Sequence, residues 1–244
     1  MSETFVLIHG AWHGGWAWNA VAPGLRAKGH RVLTPTMPGL GIDDDPRGVG
    51  LSDAVQYLID YVERRDLNNI TLIAHSWGGF VASGAATALA HRIRRMVFWS
   101  AFVPHDGESM LDACPPEYRQ GFVAQAERAA DRTVVLSLDV WRAAFMQDAP
   151  AATQGAVYNM LRPQPFATLD DPARQNRFFA LEIPTCYILS TDDKALPQND
   201  RWGWQRFAER LADPLVISLP GSHESCFTRP EELTRAFLTA CERR

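Results

Sequence analysis

Six short apolar runs, each closed by turn residues, constrain this chain more than any other feature. They are Thr4–Ile8 "TFVLI", 31–34 "RVLT", 70–74 "ITLIA", 95–100 "RMVFWS", 185–190 "TCYILS" and 215–220 "LVISLP". Near-continuous hydrophobicity over so few residues suits strands covered on both faces. Amphipathic segments fall between them. Residues 16–28 read as a helix ending at the C-cap Gly29. Residues 52–66 carry Val55, Leu58, Ile59 and Val62 at helical spacing, with Ser52 as the expected N-cap. Residues 77–90 are small and apolar, as in a helix laid on a sheet. Residues 198–211 and 230–241 read as further helices, the latter with Pro230 in its first turn. Alternation of this kind predicts an α/β fold, a doubly wound and mostly parallel sheet.

The alternation breaks between about 104 and 182. That stretch has a helical pattern, no convincing strand, and Pro115, Pro116, Pro150, Pro163 and Pro165 as punctuation. It reads as a helical lid inserted after the run at 95–100, because a plain crossover of that length would be unusually long. The expected organisation is a core of 1–103 and 183–244, with 104–182 as cap.

With 46% hydrophobic and 21% charged residues, the 244-residue chain can bury a sizeable core. A net charge of −4 leaves no basic stripe for nucleic acid or polybasic contact with a membrane. No apolar run reaches the ~18 residues of a membrane span, and "MSETFVLIHG" lacks a secretory n-region. Cys114, Cys186, Cys226 and Cys241 are widely spaced without a CxxC pair. They read as reduced, mostly buried thiols of a cytoplasmic protein, and no His/Cys cluster has metal-ligand spacing. Neither a metal nor a cofactor is expected. The expected partner is a small-molecule substrate, and a homodimer is left open.

The chemistry centres on "TLIAHSWGGF", residues 71–80. A lone serine between a strand and a small-residue helix is the context of a nucleophile elbow, although the usual G-x-S-x-G has Ala74 in its first position. The bland alternative makes Ser76 an N-cap. A serine nucleophile needs a base and a group that fixes the base, in the order Ser, acid, His on this architecture. Asp192 and Asp193 follow the run at 185–190, and His223 follows the run at 215–220. Both loops lie past strand ends, where ligands gather in open parallel sheets. His75 reads as a structural neighbour. Oxyanion donors are expected from the Trp77 N–H and from the loop "HGAWHGGW". A dinucleotide site is not expected, since G-x-G-x-x-G is absent and Pro35 stands where a ribose-binding acid would be.

The stretches "FVLIHGAWHGGWAW", "GLRAKGHRVLTPTMPGLG", "IAHSWGGF", "FWSAFVP", "YILSTDDKALP" and "GSHES" resemble the α/β-hydrolase superfamily. The closer likeness is to the branch of plant methylesterases, hydroxynitrile lyases and bacterial esterases of the pyrethroid-hydrolase type. The resemblance implies the α/β-hydrolase fold, with Ser76 as nucleophile, His223 as base and Ala11 and Trp77 as oxyanion donors. The branch's D-x-x-x-P spacing, here "DKALP", implies Asp193 as the acid. Related lyases carry Thr at the position of Gly10 and Lys after the His; this chain has Gly10 and Glu224. A carboxylate there repels departing cyanide, which disfavours lyase chemistry. Trp12, Phe102, Trp141 and Phe145 are the expected substrate-binding aromatics, pointing to an apolar or aromatic substrate. The expectation is a serine esterase acting on a small carboxylic ester. The alternatives are a lyase, thioester or C–C hydrolase or natural-product tailoring enzyme using the same triad, or a non-catalytic receptor.

Overall fold

The computed structural model describes residues 2–242. Its strands are β1 (Thr4–Ile8), β2 (Arg31–Leu33), β3 (Ile70–His75), β4 (Ile93–Trp99), β5 (Thr133–Val134), β6 (Gln164–Pro165), β7 (Thr185–Ser190) and β8 (Leu215–Leu219). Six of them form one sheet in the order β2-β1-β3-β4-β7-β8, with every pair parallel. The helices are α1 (Ala22–Ala27), α2 (Leu51–Arg64), α3 (Gly78–Leu89), α4 (Pro116–Arg128), α5 (Leu138–Val140), α6 (Ala151–Tyr158), α7 (Ala167–Asp170), α8 (Gln205–Ala208), α9 (Ser225–Thr228) and α10 (Pro230–Glu242). None is long and apolar enough to cross a membrane among the described residues.

The inner strands are largely apolar because both faces are covered, whereas the run at 215–220, expected to be covered on both faces, becomes the edge strand β8 and leaves Val216 exposed. Phe5, Leu7, Ile73, Val97, Trp99 and Ile188 pack with Trp18, Leu25, Leu233 and Phe237. Their neighbours in sequence, Val6, Ile8, Leu72, Ala74 and Phe98, pack with Leu58, Val62, Phe80 and Val81 on the other side. The period of two in strand side chains produces this division. Ala74 is a regular strand residue paired with Ile8 and Phe98, so its methyl group costs the following turn nothing.

Several local expectations need correction. The helix expected over 16–28 is split into a 3₁₀ turn, Gly15–Trp18, and α1. Pro23 has no N–H to bond the Asn19 carbonyl, so one continuous helix cannot form. Ser52 is not the cap of α2. The helix begins at Leu51 behind an extended Gly50, whose N–H donates to Asp53 Oδ2 at 2.8 Å. The helix expected over 198–211 contracts to α8. Asn199 Oδ1 accepts the N–H groups of Arg201 and Trp202 and bends the chain into turns instead. The 104–182 stretch does hold strand, since β5 and β6 pair antiparallel over two residues, too few to leave a periodic signal. Cys114, Cys186 and Cys226 are buried.

The topology fixes where a site can form. β1 has β2 on one side and β3 on the other, so successive crossovers leave in opposite directions. A crevice opens past the strand ends at such a switch point.

Candidate active site

The loops leaving β1 and β3 are forced together by register. Ile8 pairs with Ala74, so Gly10 arrives beside Ser76; a Cβ on Gly10 would lie 3.1 Å from that of Ser76. Ser76 itself has φ +52°, the left-handed conformation that non-glycine residues rarely adopt. Its carbonyl accepts from Gly79 N–H and Phe102 N–H, both at 3.1 Å. These bonds hold the sharp turn from β3 into α3. The Gly pair allows it: a Cβ on Gly78 would sit 2.7 Å from the His9 carbonyl oxygen, and one on Gly79 would collide with the Phe102 carbonyl.

His223 lies past β8, fully buried, and its Nδ1 donates to Asp193 Oδ2 at 2.6 Å. Asp193 is 0% exposed, and its other oxygen accepts the Ala195 N–H at 2.9 Å. Asp192 points elsewhere, accepting the Gly221 N–H at 2.8 Å as a loop clip. Burial pushes the His223 imidazole down, but the charge and hydrogen bond of Asp193 outweigh it and leave the ring above its ordinary value. Proton placement on Nδ1 leaves the Nε2 lone pair for chemistry. Trp204 stacks on the ring at 5.2 Å and 17°, and Phe145 meets it edge-on at 5.3 Å. His75 stacks on Trp99 at 4.0 Å, and its Nε2 donates to the His223 carbonyl at 3.1 Å. The residue before the serine thus anchors the segment bearing the imidazole.

Ser76 and His223 line the same cavity, of about 200 Å³. No hydrogen bond joins the Ser76 hydroxyl to the imidazole among the described residues; such contacts tighten when substrate is bound. The backbone N–H groups of Ala11 and Trp77, both buried, also donate to nothing among the described residues. Buried backbone donors left open on the two loops that meet at Ser76 are the kind of group that a developing oxyanion needs. His9 supports the first of them. Its Nδ1 donates to Gly10 O at 2.8 Å, and its Nε2 accepts the Met37 N–H at 3.0 Å. Burial pushes His9 down to about 4, so it is neutral at this post.

The cavity wall is apolar: Trp12, Phe102, Phe122, Leu136, Phe145 and Trp204 contribute, with Glu117, Gln125 and Ser137 among its polar lining residues. Of the expected aromatics, Trp12, Phe102 and Phe145 line it. Trp141 does not. It is fully buried behind Phe145, stacked at 6.1 Å, with its Nε1 donating to Gln154 O.

Sequence reading missed three supports. Trp204 lay in a segment read as a plain helix. Gln164 accepts the Trp12 N–H at 2.8 Å, and Thr168 O accepts the Trp77 indole at 2.8 Å, so the 164–168 turn braces both loops. Gln164 sits between two prolines with no pattern to flag it.

Ligand-type atoms of His75, His223 and Glu224 lie within 4.8 Å of one another. Two of these side chains are already engaged, His75 by a carbonyl and His223 by Asp193. This is a histidine–carboxylate cluster turned to other bonds, not an open set of metal ligands.

Comparison with known proteins agrees with this fold. The model of the alpha/beta hydrolase family matches residues 5–236. A carbendazim hydrolyzing esterase from Nocardioides sp. (strain SG-4G) is 41% identical, over 94% of this chain and 96% of that protein. Methylesterase 1 of Arabidopsis thaliana is 27% identical, over 99% of this chain and 97% of its own. The solved structure of an extracellular alpha/beta-hydrolase from a Paenibacillus species superposes with a TM-score of 0.94 at 31% identity, covering 98% of each chain.

Proposed function

The chain belongs to the alpha/beta hydrolase family, and we propose that it is a serine esterase cleaving small, apolar or aromatic carboxylic esters through an acyl-enzyme. The observation that carries this reading is Ser76 at φ +52° on the wall of an apolar cavity that it shares with an Asp193-bound His223. Relatives named as esterases and methylesterases support the same reaction class.

In this reading Ser76 Oγ attacks the ester carbonyl while His223 Nε2 takes its proton. The oxyanion rests on the N–H groups of Ala11 and Trp77. Asp193 holds the imidazole in the productive tautomer and stabilises the imidazolium. His223 then protonates the departing alcohol, and water repeats the sequence on the acyl-serine. Residues 104–182 form the lid of this site, contributing Phe122, Leu136 and Phe145 to the wall. The mostly apolar lining favours an apolar acyl or alcohol group over a charged one.

A p-nitrophenyl ester series tests the reading, with methyl esters and carbendazim added because of the relatives. The wild type turns over short or aromatic acyl esters, and Ser76→Ala loses at least ~10³-fold in kcat. Equal rates for the two proteins would remove the proposal.

A further inference from the structure

Glu224 directly follows the imidazole residue and is 1% exposed. Its Oε2 lies 3.4 Å from Nε2 of His13 and 3.8 Å from Cys226 Sγ, and its Oε1 has no hydrogen-bond partner among the described residues. The His13 contact is longer than a formed hydrogen bond, and His13 Nε2 has no other partner among the described residues. Two buried polar groups therefore have chiefly each other to satisfy.

His13 belongs to the loop after β1, and its Nδ1 donates to the Ala11 carbonyl at 2.7 Å. Burial pushes this imidazole down to about 3, so it is neutral and carries one proton. With that proton on Nδ1, Nε2 presents a lone pair. A carboxylate facing a lone pair is repulsive; a carboxylic acid facing it makes a hydrogen bond. The surroundings favour the acid. His13, His75 and His223 face Glu224, with the carboxylates of Asp193 and Asp148 and the thiol of Cys226 near it. Burial is the main cause that pushes the Glu224 carboxyl up to about 7; the opposing pull of His223 and of the Cys226 thiol is outweighed by burial together with the two nearby carboxylates.

We propose that Glu224 is a positioning residue: as a carboxylic acid it donates its proton to Nε2 of His13 and so ties the Ala11 segment of the oxyanion loop to the segment carrying His223. The inference rests on the esterase reading above, because there the placement of the Ala11 N–H governs the rate. The backbone of Glu224 is fixed independently, its N–H donating to Phe145 O at 3.2 Å and to Ser222 Oγ at 3.3 Å. The side chain is therefore free to serve the loop opposite.

The test compares the full chain with Glu224→Gln and Glu224→Leu, using p-nitrophenyl acetate kinetics and ¹⁵N NMR of the histidine rings. At pH 6 the His13 ring of the wild type should be protonated at Nδ1 and bare at Nε2, and Glu224→Gln should keep that tautomer because its amide also donates. Glu224→Gln should hold kcat within about 3-fold, while Glu224→Leu loses roughly 10- to 100-fold in kcat with KM changed less than about 3-fold. The wild-type to Glu224→Gln ratio of kcat should fall as pH rises from 6 to 9, since only the carboxyl can lose its donor. A proton on His13 Nε2, a flat ratio, equal damage from Gln and Leu, or full activity of the Leu variant would each overturn the proposal. If Glu224→Leu fails to fold, the tautomer and the pH ratio decide. Turnover surviving in Ser76→Ala would instead sink the esterase reading itself, so the two failures are separable.

Discussion

Replacing Asp193 with Asn removes one charge and almost no volume, which makes it the sharpest probe of the base. Asp193 accepts two hydrogen bonds, from His223 Nδ1 at 2.6 Å and from the Ala195 N–H at 2.9 Å. An asparagine has one acceptor oxygen for these two donors. If the oxygen stays on Ala195, the amide N–H faces Nδ1, and the ring must move its proton to Nε2, where it can no longer accept the serine proton. If the oxygen stays on His223, the Ala195 N–H is left buried without an acceptor. Either way the charge that holds the imidazole above its ordinary value is gone. In serine triads the tautomer error costs about 10⁴ in kcat, which is roughly 5 kcal/mol of transition-state stabilisation at 1.36 kcal/mol per tenfold. Steady-state kinetics on p-nitrophenyl acetate should show that loss in Asp193→Asn, with a thermal transition confirming a folded variant. Asp192→Asn should stay within about 3-fold of wild type, because the Asp192 carboxylate accepts from the Gly221 N–H and the Thr191 hydroxyl, away from His223. The reverse ranking of the two variants would refute the assignment.

Three further outcomes follow from the same geometry. Because the base works only when neutral and its folded value is raised, kcat/KM should rise with pH along a limb centred above the ordinary ~6.5 of imidazole; a midpoint below that value would count against the Asp193 contact. Gly79→Ala should cost about 3 kcal/mol or more in urea unfolding, since its methyl would collide with the Phe102 carbonyl; a change under about 0.5 kcal/mol would mean the turn is looser than described. Trp204→Leu should lower kcat roughly 3- to 10-fold by removing the indole stacked on His223, and unchanged kinetics would reduce that contact to packing.

The parallel sheet and the loops past its strand ends were legible because they leave local marks. Apolar runs of five or six residues mark the strands, although the run at 215–220 proved to be an edge strand open on one face, and a serine shortly before two glycines marks a strained turn. The geometry also separates Asp193 from Asp192, a distinction that the residues alone left open and only the spacing to Pro197 suggested. What was illegible depends on long-range partners. Gln164 braces Trp12 from 152 residues away, and nothing in the neighbourhood of either residue encodes it. Trp204 was hidden by a helical pattern that the Asn199 turn overrides. Trp141 shows the converse error: an aromatic in the right segment turns its ring into the core, because which side of a short helical turn faces a cavity is decided by tertiary packing.

The proposed nucleophile, Ser76, is open to direct observation. Mixing the protein with a slowly deacylating aromatic ester, quenching, and mapping peptides by mass spectrometry should find the acyl group on the peptide containing Ser76, and nowhere in Ser76→Ala. An acyl group carried by another residue, or ester turnover in Ser76→Ala at the wild-type rate, would contradict the account.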